Sequence, residues 1–466
     1  MTQDSRPNIL LLFTDDQRFD TISALGYPVA TPNIDRLVER GTAFTNAYIM
    51  GGSHGAVCMP SRAMLLTGRT LYHIQGEGQG IAEDHVLMGE ALQNAGYRTF
   101  GTGKWHNGPA AYARSHTDGA EIFFGGMDDH WNVPACDFDP TGRYENVQPY
   151  IRDAFSENHV LSRHVDHVHF GKHSSELFAE TVIDFIEGYD AGSPFFAYVP
   201  FMAPHDPRTM PREFLEMYDP DEIELPPNFM PEHPFDNGDL VLRDELLAGF
   251  PRTEAEIRVH IAEYYAMISH LDAQIGRVLD TLEQKGLADN TIVVLAGDNG
   301  LAIGRHGLMG KQNMYDHSLH VPLLFAGPGV PSGETREAYA YLLDIYPTLC
   351  DLVGIEKPAS VEGKSLAPVL DRTVPTQRPT LHFAYRGLQR AVQDERYKLI
   401  EYVVQGERTT QLFDLRGDPW ELSDLSKDPA FADKVTVLRR ELRRWQTELG
   451  DDRPHQGAAF WARFDA

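Results

Sequence analysis

Four short stretches of this chain, 8–13, 195–201, 291–296 and 321–325, are apolar at almost every position. A strand with one face in water alternates polar and apolar residues, so a strand that does not alternate must be covered on both faces. Between these runs lie helical patterns. One spans 31–40, with Thr31 as cap, Pro32 first and Gly41 as stop; others follow at 86–95 and 174–187, and a long one opens at the Thr253/Glu256 capping box. Strand and helix in alternation, with right-handed crossovers, predict an α/β fold: a large, mostly parallel sheet sandwiched by helices. After a Pro-rich, aperiodic boundary at 371–380, short strands at 380–385, 389–393, 397–404 and 409–414 and a helix at 435–449 predict a small antiparallel sheet with a covering helix. The expected division is a large domain of 1–375 and a C-terminal subdomain of 376–466.

Open α/β sheets bind ligands at the carboxyl ends of their strands, and here those ends carry charge. The first run stops at Asp15-Asp16, the strand expected at 97–102 leads to Lys104 and His106, the run at 195–201 to His205, and the run at 291–296 to Asp298-Asn299. Two adjacent carboxylates at a buried strand end are costly unless a hard cation neutralises them, although Asp16 as a helix cap or solvated turn is the plainer alternative. A single Lys or His at a strand end is, taken alone, an ordinary surface group.

The most specific run is Cys58-Met59-Pro60-Ser61-Arg62 continuing to Thr67-Gly68-Arg69. Pro60 suits a first helical turn, which puts Cys58 at a helix N-terminus, where a thiol is expected to have a lowered pKa with Arg62 one turn on. The small residues 51–55 before it are expected to let a ligand approach the backbone. They also match G-x-S-x-G, but the helix signal comes too late for Ser53 to be a nucleophile at a strand-to-helix elbow. Cys136 and Cys350 have no comparable context and read as buried apolar residues.

The Cys58 run resembles the signature of the type I sulfatases, and the resemblance extends through Asp15-Asp16, Gly103 to His106, Pro204-His205, Asp298 to Gly300 and Lys311. It implies an alkaline phosphatase-like fold and a Cys58 oxidised to formylglycine by a maturation enzyme. It also implies a divalent metal, usually calcium with magnesium or manganese as alternatives, held by Asp15, Asp16, residue 58, Asp298 and Asn299. The hydrated aldehyde would carry two hydroxyls on one carbon, one to attack sulfur and one to let the intermediate collapse by C–O cleavage. Arg62, Lys104 and Lys311 would neutralise the sulfate oxygens, His106 would take the proton of the second hydroxyl, and His205 would protonate the leaving alcohol. Cationic neighbours should hold both His pKa values down.

Composition narrows the partners. Asp and Glu number 68 against 41 Lys and Arg, a formal charge of -27, which argues against nucleic acid or an anionic membrane. An anionic substrate must then be drawn by a local cluster of cations. Three cysteines make no disulfide framework, and the polar N-terminus has no signal-sequence pattern, so a cytoplasmic protein is expected unless a leader has been removed. The expected substrate is an aryl sulfate or a sulfated carbohydrate, with the loops at 107–172 and 206–252 as its lining and a tilt toward sugars. A phosphonate or phosphodiester hydrolase of the same fold, and a binder of anionic glycans that never oxidises Cys58, are the competing readings. His164, His167 and His169 are expected to be solvated or hydrogen-bonded, because no further zinc ligand stands at a matching spacing. His306 and His320 are expected near the substrate rim or behind the site.

Overall fold

The computed structural model describes residues 6–151, 158–453 and 455–466. Strands β1 (Asn8–Thr14), β2 (Gly41–Phe44), β4 (Arg98–Lys104), β5 (Asp118–Phe123), β8 (Phe195–Pro200), β9 (Thr291–Gly297), β10 (Leu323–Ala326) and β11 (Glu334–Arg336) form one sheet in the order β11-β2-β10-β9-β1-β8-β4-β5. Strands β9, β1, β8, β4 and β5 run parallel in that order, while β10 is antiparallel to both its neighbours. The apolar runs are buried for the expected reason. Leu10 and Leu12 of β1 face a core made with helices α3 (Ser174–Glu187) and α4 (Glu254–Gln284), whereas Ile9, Leu11 and Phe13 face a second core containing Leu65 and Leu66 of α2 (Cys58–Thr67). Truncating Leu65, which has no exposed surface, to Ala should cost ~2–5 kcal/mol.

That second core continues into the C-terminal sheet, where β12 (Leu381–Tyr385), β13 (Gln389–Gln393), β14 (Tyr397–Val404) and β15 (Glu407–Asp414) pair antiparallel beneath helix α5 (Ala432–Leu449). A fifth strand comes from far away in the chain: β3 (Gly51–Gly52) pairs parallel with β12. This corrects the reading of the small residues before Cys58. Gly51 has φ +97°, and a Cβ there would sit 2.0 Å from the Ala384 carbonyl oxygen, so the glycine serves strand pairing rather than ligand approach. The loop ahead of Cys58 is thereby pinned to the small sheet.

Two further expectations need revision, and a third is narrowed. Helix α1 (Pro32–Arg40) begins as expected, but Thr31 does not cap it; the backbone N–H groups of Asn33 and Ile34 donate instead to the Asp272 carboxylate of α4, at 3.1 and 2.7 Å. The segment 107–172 is not simply irregular, because it contains the edge strand β5, whose half-exposed DGAEIF sequence hides the strand pattern. Residues 152–157 of that loop lie outside the described residues. His306 and His320 are packed among aromatic rings, as the placement behind the site allowed: His306 stacks on Tyr315 at 3.9 Å and meets the Glu421 carbonyl, and His320 stacks between Phe19 and Tyr48. No described helix is long and apolar enough to cross a membrane.

Candidate active site

Because β9, β1, β8 and β4 are consecutive neighbours running in one direction, their carboxyl ends open onto a single edge. The register is close: Thr14 stands opposite Gly297, and Phe13 opposite Pro200. Asp15, Lys104, Asp298 and Asn299 are fully buried there, with Asp16 and Lys311 nearly so. All four charge-bearing strand ends therefore converge. Gly103 bends β4 at its last step, with φ +92° and no room for a Cβ against the Pro200 carbonyl oxygen, and so aims Lys104 at the same point.

Three carboxylates meet three cations. Arg62 Nη2 donates to Asp15 Oδ2 and its Nε to Asp298 Oδ2, both at 3.0 Å; Lys104 pairs with Asp15, and Lys311 Nζ lies 2.5 Å from Asp16 Oδ1. Buried charges of this kind persist only when matched and hydrogen-bonded. Arg62 thus has Nε, Nη1 and Nη2 each engaged, by Asp298, the Lys104 carbonyl and Asp15.

One set of oxygens is left over. Asp15 Oδ1, Asp16 Oδ2 and Asn299 Oδ1 are buried with no hydrogen-bond donor among the described residues. An unmet buried acceptor costs ~1–3 kcal/mol, and three together at one strand edge fit a hard divalent cation with oxygen ligands. The residues present thus suit the metal that the resemblance implies. Ligand atoms of Asp15, Asp16 and His205, and again of Asp15, Cys58 and Asp298, lie within 4.8 Å of one another.

Cys58 opens α2 against this cluster. Its Sγ stands 3.4 Å from His106 Nδ1 and 3.7 Å from Lys104 Nζ. The helix N-terminus and two lysines do not lower its pKa as expected: complete burial pushes the thiol up to about 11, against the pull of Lys104 and Lys311. An unaltered thiol held protonated is a poor nucleophile at neutral pH. Both imidazoles are held neutral. Burial, then the charges of Lys104 and Arg62, keep His106 well below its ordinary value, and burial holds His205 at about 4 although Asp16 pulls the other way. His205 Nδ1 donates to the Asp206 carbonyl at 2.7 Å, leaving Nε2 unprotonated 3.7 Å from Asp16 Oδ2.

Several supporting residues carried no sequence signal for this role. Asn107 Nδ2 donates to the Met59 carbonyl at the start of α2 and to the Gly78 carbonyl, Ser61 Oγ donates to the Asp298 carbonyl at 2.6 Å, and His130 Nε2 donates to the His205 carbonyl at 3.0 Å. Tyr264 reads in sequence as one of the apolar stripe of α4, yet its hydroxyl donates to the Asp16 carbonyl at 2.6 Å. Only a polar atom on that stripe hinted at it.

A parallel sheet carrying a buried, oxygen-rich centre at its carboxyl edge, faced by a helix N-terminal cysteine, defines a hydrolase of the alkaline phosphatase-like class. The Sulfatase family profile matches residues 7–355, and that of the N-sulphoglucosamine sulphohydrolase C-terminal region matches 304–448. The chain belongs to the sulfatase family and is a sulfuric ester hydrolase. It is 25% identical to an N-acetylglucosamine-6-O-sulfatase of Bacteroides thetaiotaomicron, over 97% of this chain and 88% of the relative. Among solved structures it is similar to one described in complex with its substrate D-glucosamine-2-N,6-O-disulfate, with TM-score 0.73, 24% identity and coverage of 96% and 99%. It is equally similar in fold to the phosphonate monoester hydrolase of Agrobacterium radiobacter, with TM-score 0.73, 21% identity and coverage of 95% and 96%.

Proposed function

We propose that this sulfatase removes sulfate from a sulfated saccharide, using residue 58 as formylglycine and a calcium ion held by Asp15, Asp16, Asp298 and Asn299. The observation that carries the reading is the position of Cys58, whose Sγ faces His106 and Lys104 beside three unmet buried oxygens. A maturation enzyme that oxidises Cys58 is the implied partner. The cation, when bound, supplies a fixed positive charge that polarises sulfate oxygens and acidifies a hydroxyl.

The protein's own groups divide the remaining work. Lys104 and Lys311 place two ammonium groups beside the carboxylates, where sulfate charge would gather in the transition state. Neutral His106, 3.4 Å from the side-chain atom of residue 58, is placed to take a proton from a hydroxyl there. His205, on the loop after β8, turns its bare Nε2 toward the site, and it would hand the departing alcohol a proton only after Nε2 has taken one up on substrate binding. Arg62, paired with Asp15 and Asp298, keeps the carboxylates in register. The sugar reading is supported by the relatives and by the loop 206–252, which brings Arg243 to Asp206 and Asp244 Oδ2 within 2.8 Å of Gln312 Nε2 at the site's border.

A substrate panel tests this. Sulfate release from N-acetylglucosamine 6-sulfate and 4-nitrophenyl sulfate, and phenol release from a phenyl phosphonate monoester, are measured with oxidised protein. The sugar sulfate should have the highest kcat/KM. A preference for the phosphonate would move the assignment to phosphonate hydrolysis, and turnover of the aryl ester alone would remove the sugar.

A further inference from the structure

On the edge strand of the sheet, a second group of metal-competent side chains comes together. His167 and His169 stand two residues apart at β7 (His167–Val168), so both rings leave the strand on the same side, and their centroids are 5.1 Å apart. Glu121 of β5 meets both: Oε2 lies 2.9 Å from His167 Nε2, and Oε1 lies 2.9 Å from His169 Nε2. Glu121 takes the left-handed conformation, with φ +51°, where the pairing of β5 with β4 slips. That conformation is unusual for a Glu and turns its carboxylate out of the ladder. The short β6 (Pro134–Ala135), paired with β7, fixes the distance between the two segments.

We infer that Glu121, His167 and His169 form a zinc site. The donor set is two imidazole nitrogens and one carboxylate, which suits a borderline-soft ion such as Zn2+ better than Ca2+, and it matches the three-ligand pattern that keeps one coordination position for water. The geometry is close to ready. Donors on a tetrahedral zinc lie roughly 3.4 Å apart at bond lengths near 2.1 Å; the two Nε2 to oxygen separations are 2.9 Å, each to a different oxygen of Glu121, and one ligand atom from each residue lies within 4.8 Å of the others. The side chains of Glu121, His167 and His169 are 16, 30 and 47% exposed, so the fourth position opens to solvent and an ion can enter. Asp137 Oδ1 stands 4.0 Å from His167 Nδ1, on the side where a metal-bound imidazole commonly meets a carboxylate. His164, which completes the trio of nearby histidines in sequence, is not part of the site; its Nδ1 meets the Tyr144 carbonyl at 2.8 Å. The three histidines are hydrogen-bonded as expected, and the partner of His167 and His169 is a carboxylate 46 residues upstream of His167 that only the sheet brings near.

The site is tested with the full chain in excess Ca2+, so that the oxygen-rich centre is occupied, titrated with Co2+ and followed by visible absorption and calorimetry. The wild-type protein should take up one equivalent with the intense absorption of tetrahedral Co2+, which Zn2+ then abolishes by displacement. Glu121→Gln should bind at least about 100-fold more weakly, and His167→Ala with His169→Ala should show no such equivalent. Circular dichroism of each variant establishes that it is folded. Absence of a tetrahedral spectrum in wild type, or an unchanged titration in the folded double variant, would reduce the cluster to an ordinary ion pair and overturn the inference.

Discussion

The two clusters, one at the carboxyl edge of the sheet and one on its outer strand, are built from opposite materials. Around Cys58 the spare donors are oxygens, wholly buried and enclosed by Arg62, Lys104 and Lys311. At Glu121 the candidate ligands are mainly imidazole nitrogens, part-exposed and hydrogen-bonded to the carboxylate, with no interlocking of buried charge. The difference teaches where each ion could belong. A hard cation is favoured where several carboxylates must be neutralised out of water, and a softer one where neutral nitrogens suffice. It also separates roles. Of the two, only the first cluster sets a cysteine, neutral imidazoles and cations beside one another.

The comparison is sharpened most by removing the reacting atom. Cys58→Ala should lower kcat by at least about 10⁴-fold in a sulfate-release assay, and retention of activity would deny the first cluster its chemistry. Next in size is the loss of the clamp: Arg62→Met leaves Asp15 and Asp298 without their shared partner, and should cost ~3–5 kcal/mol in urea unfolding. A variant as stable as wild type would show that the carboxylates do not depend on it. His205→Ala should reduce kcat about 100-fold for a sugar sulfate and much less for a nitrophenyl sulfate, whose leaving group needs no proton. Equal losses on both esters would place His205 in binding instead.

The smallest effect is a general one. His116, His173 and His382 are held by burial at about 3, 4 and 4, below the ordinary 6.5, so the unfolded chain binds more protons than the folded one between those values. Their contribution to stability is complete above about pH 6.5 and is lost as pH falls toward 4. The thermal midpoint should therefore decline progressively over that window, and a flat profile would mean that these imidazoles are already charged in the fold.

The oxygen-rich centre was largely legible in the sequence, because strands that are apolar throughout declare a parallel sheet and a parallel sheet gathers its strand ends. Asp15, Asp16, Lys104, His205, Asp298 and Asn299 follow from that rule. The Cys58 run is legible from its place at a helix N-terminus as well as by resemblance, and Lys311 by resemblance alone, since neither lies at a strand end. What was not legible depends on depth and on long-range pairing. Burial reversed the expected pKa shift of Cys58, Arg62 turned out to face carboxylates, and Gly51 proved to be a strand residue of the far sheet. The Glu121 cluster was invisible because β5 is a bulged, half-exposed edge whose pattern does not alternate cleanly.

The most direct measurement is the mass of the peptide spanning residue 58, taken on preparations oxidised to different extents and compared with their sulfate-ester turnover. The account predicts a peptide about 18 Da lighter than the cysteine form and a turnover proportional to its share. Full turnover from protein whose residue 58 is entirely cysteine would contradict it.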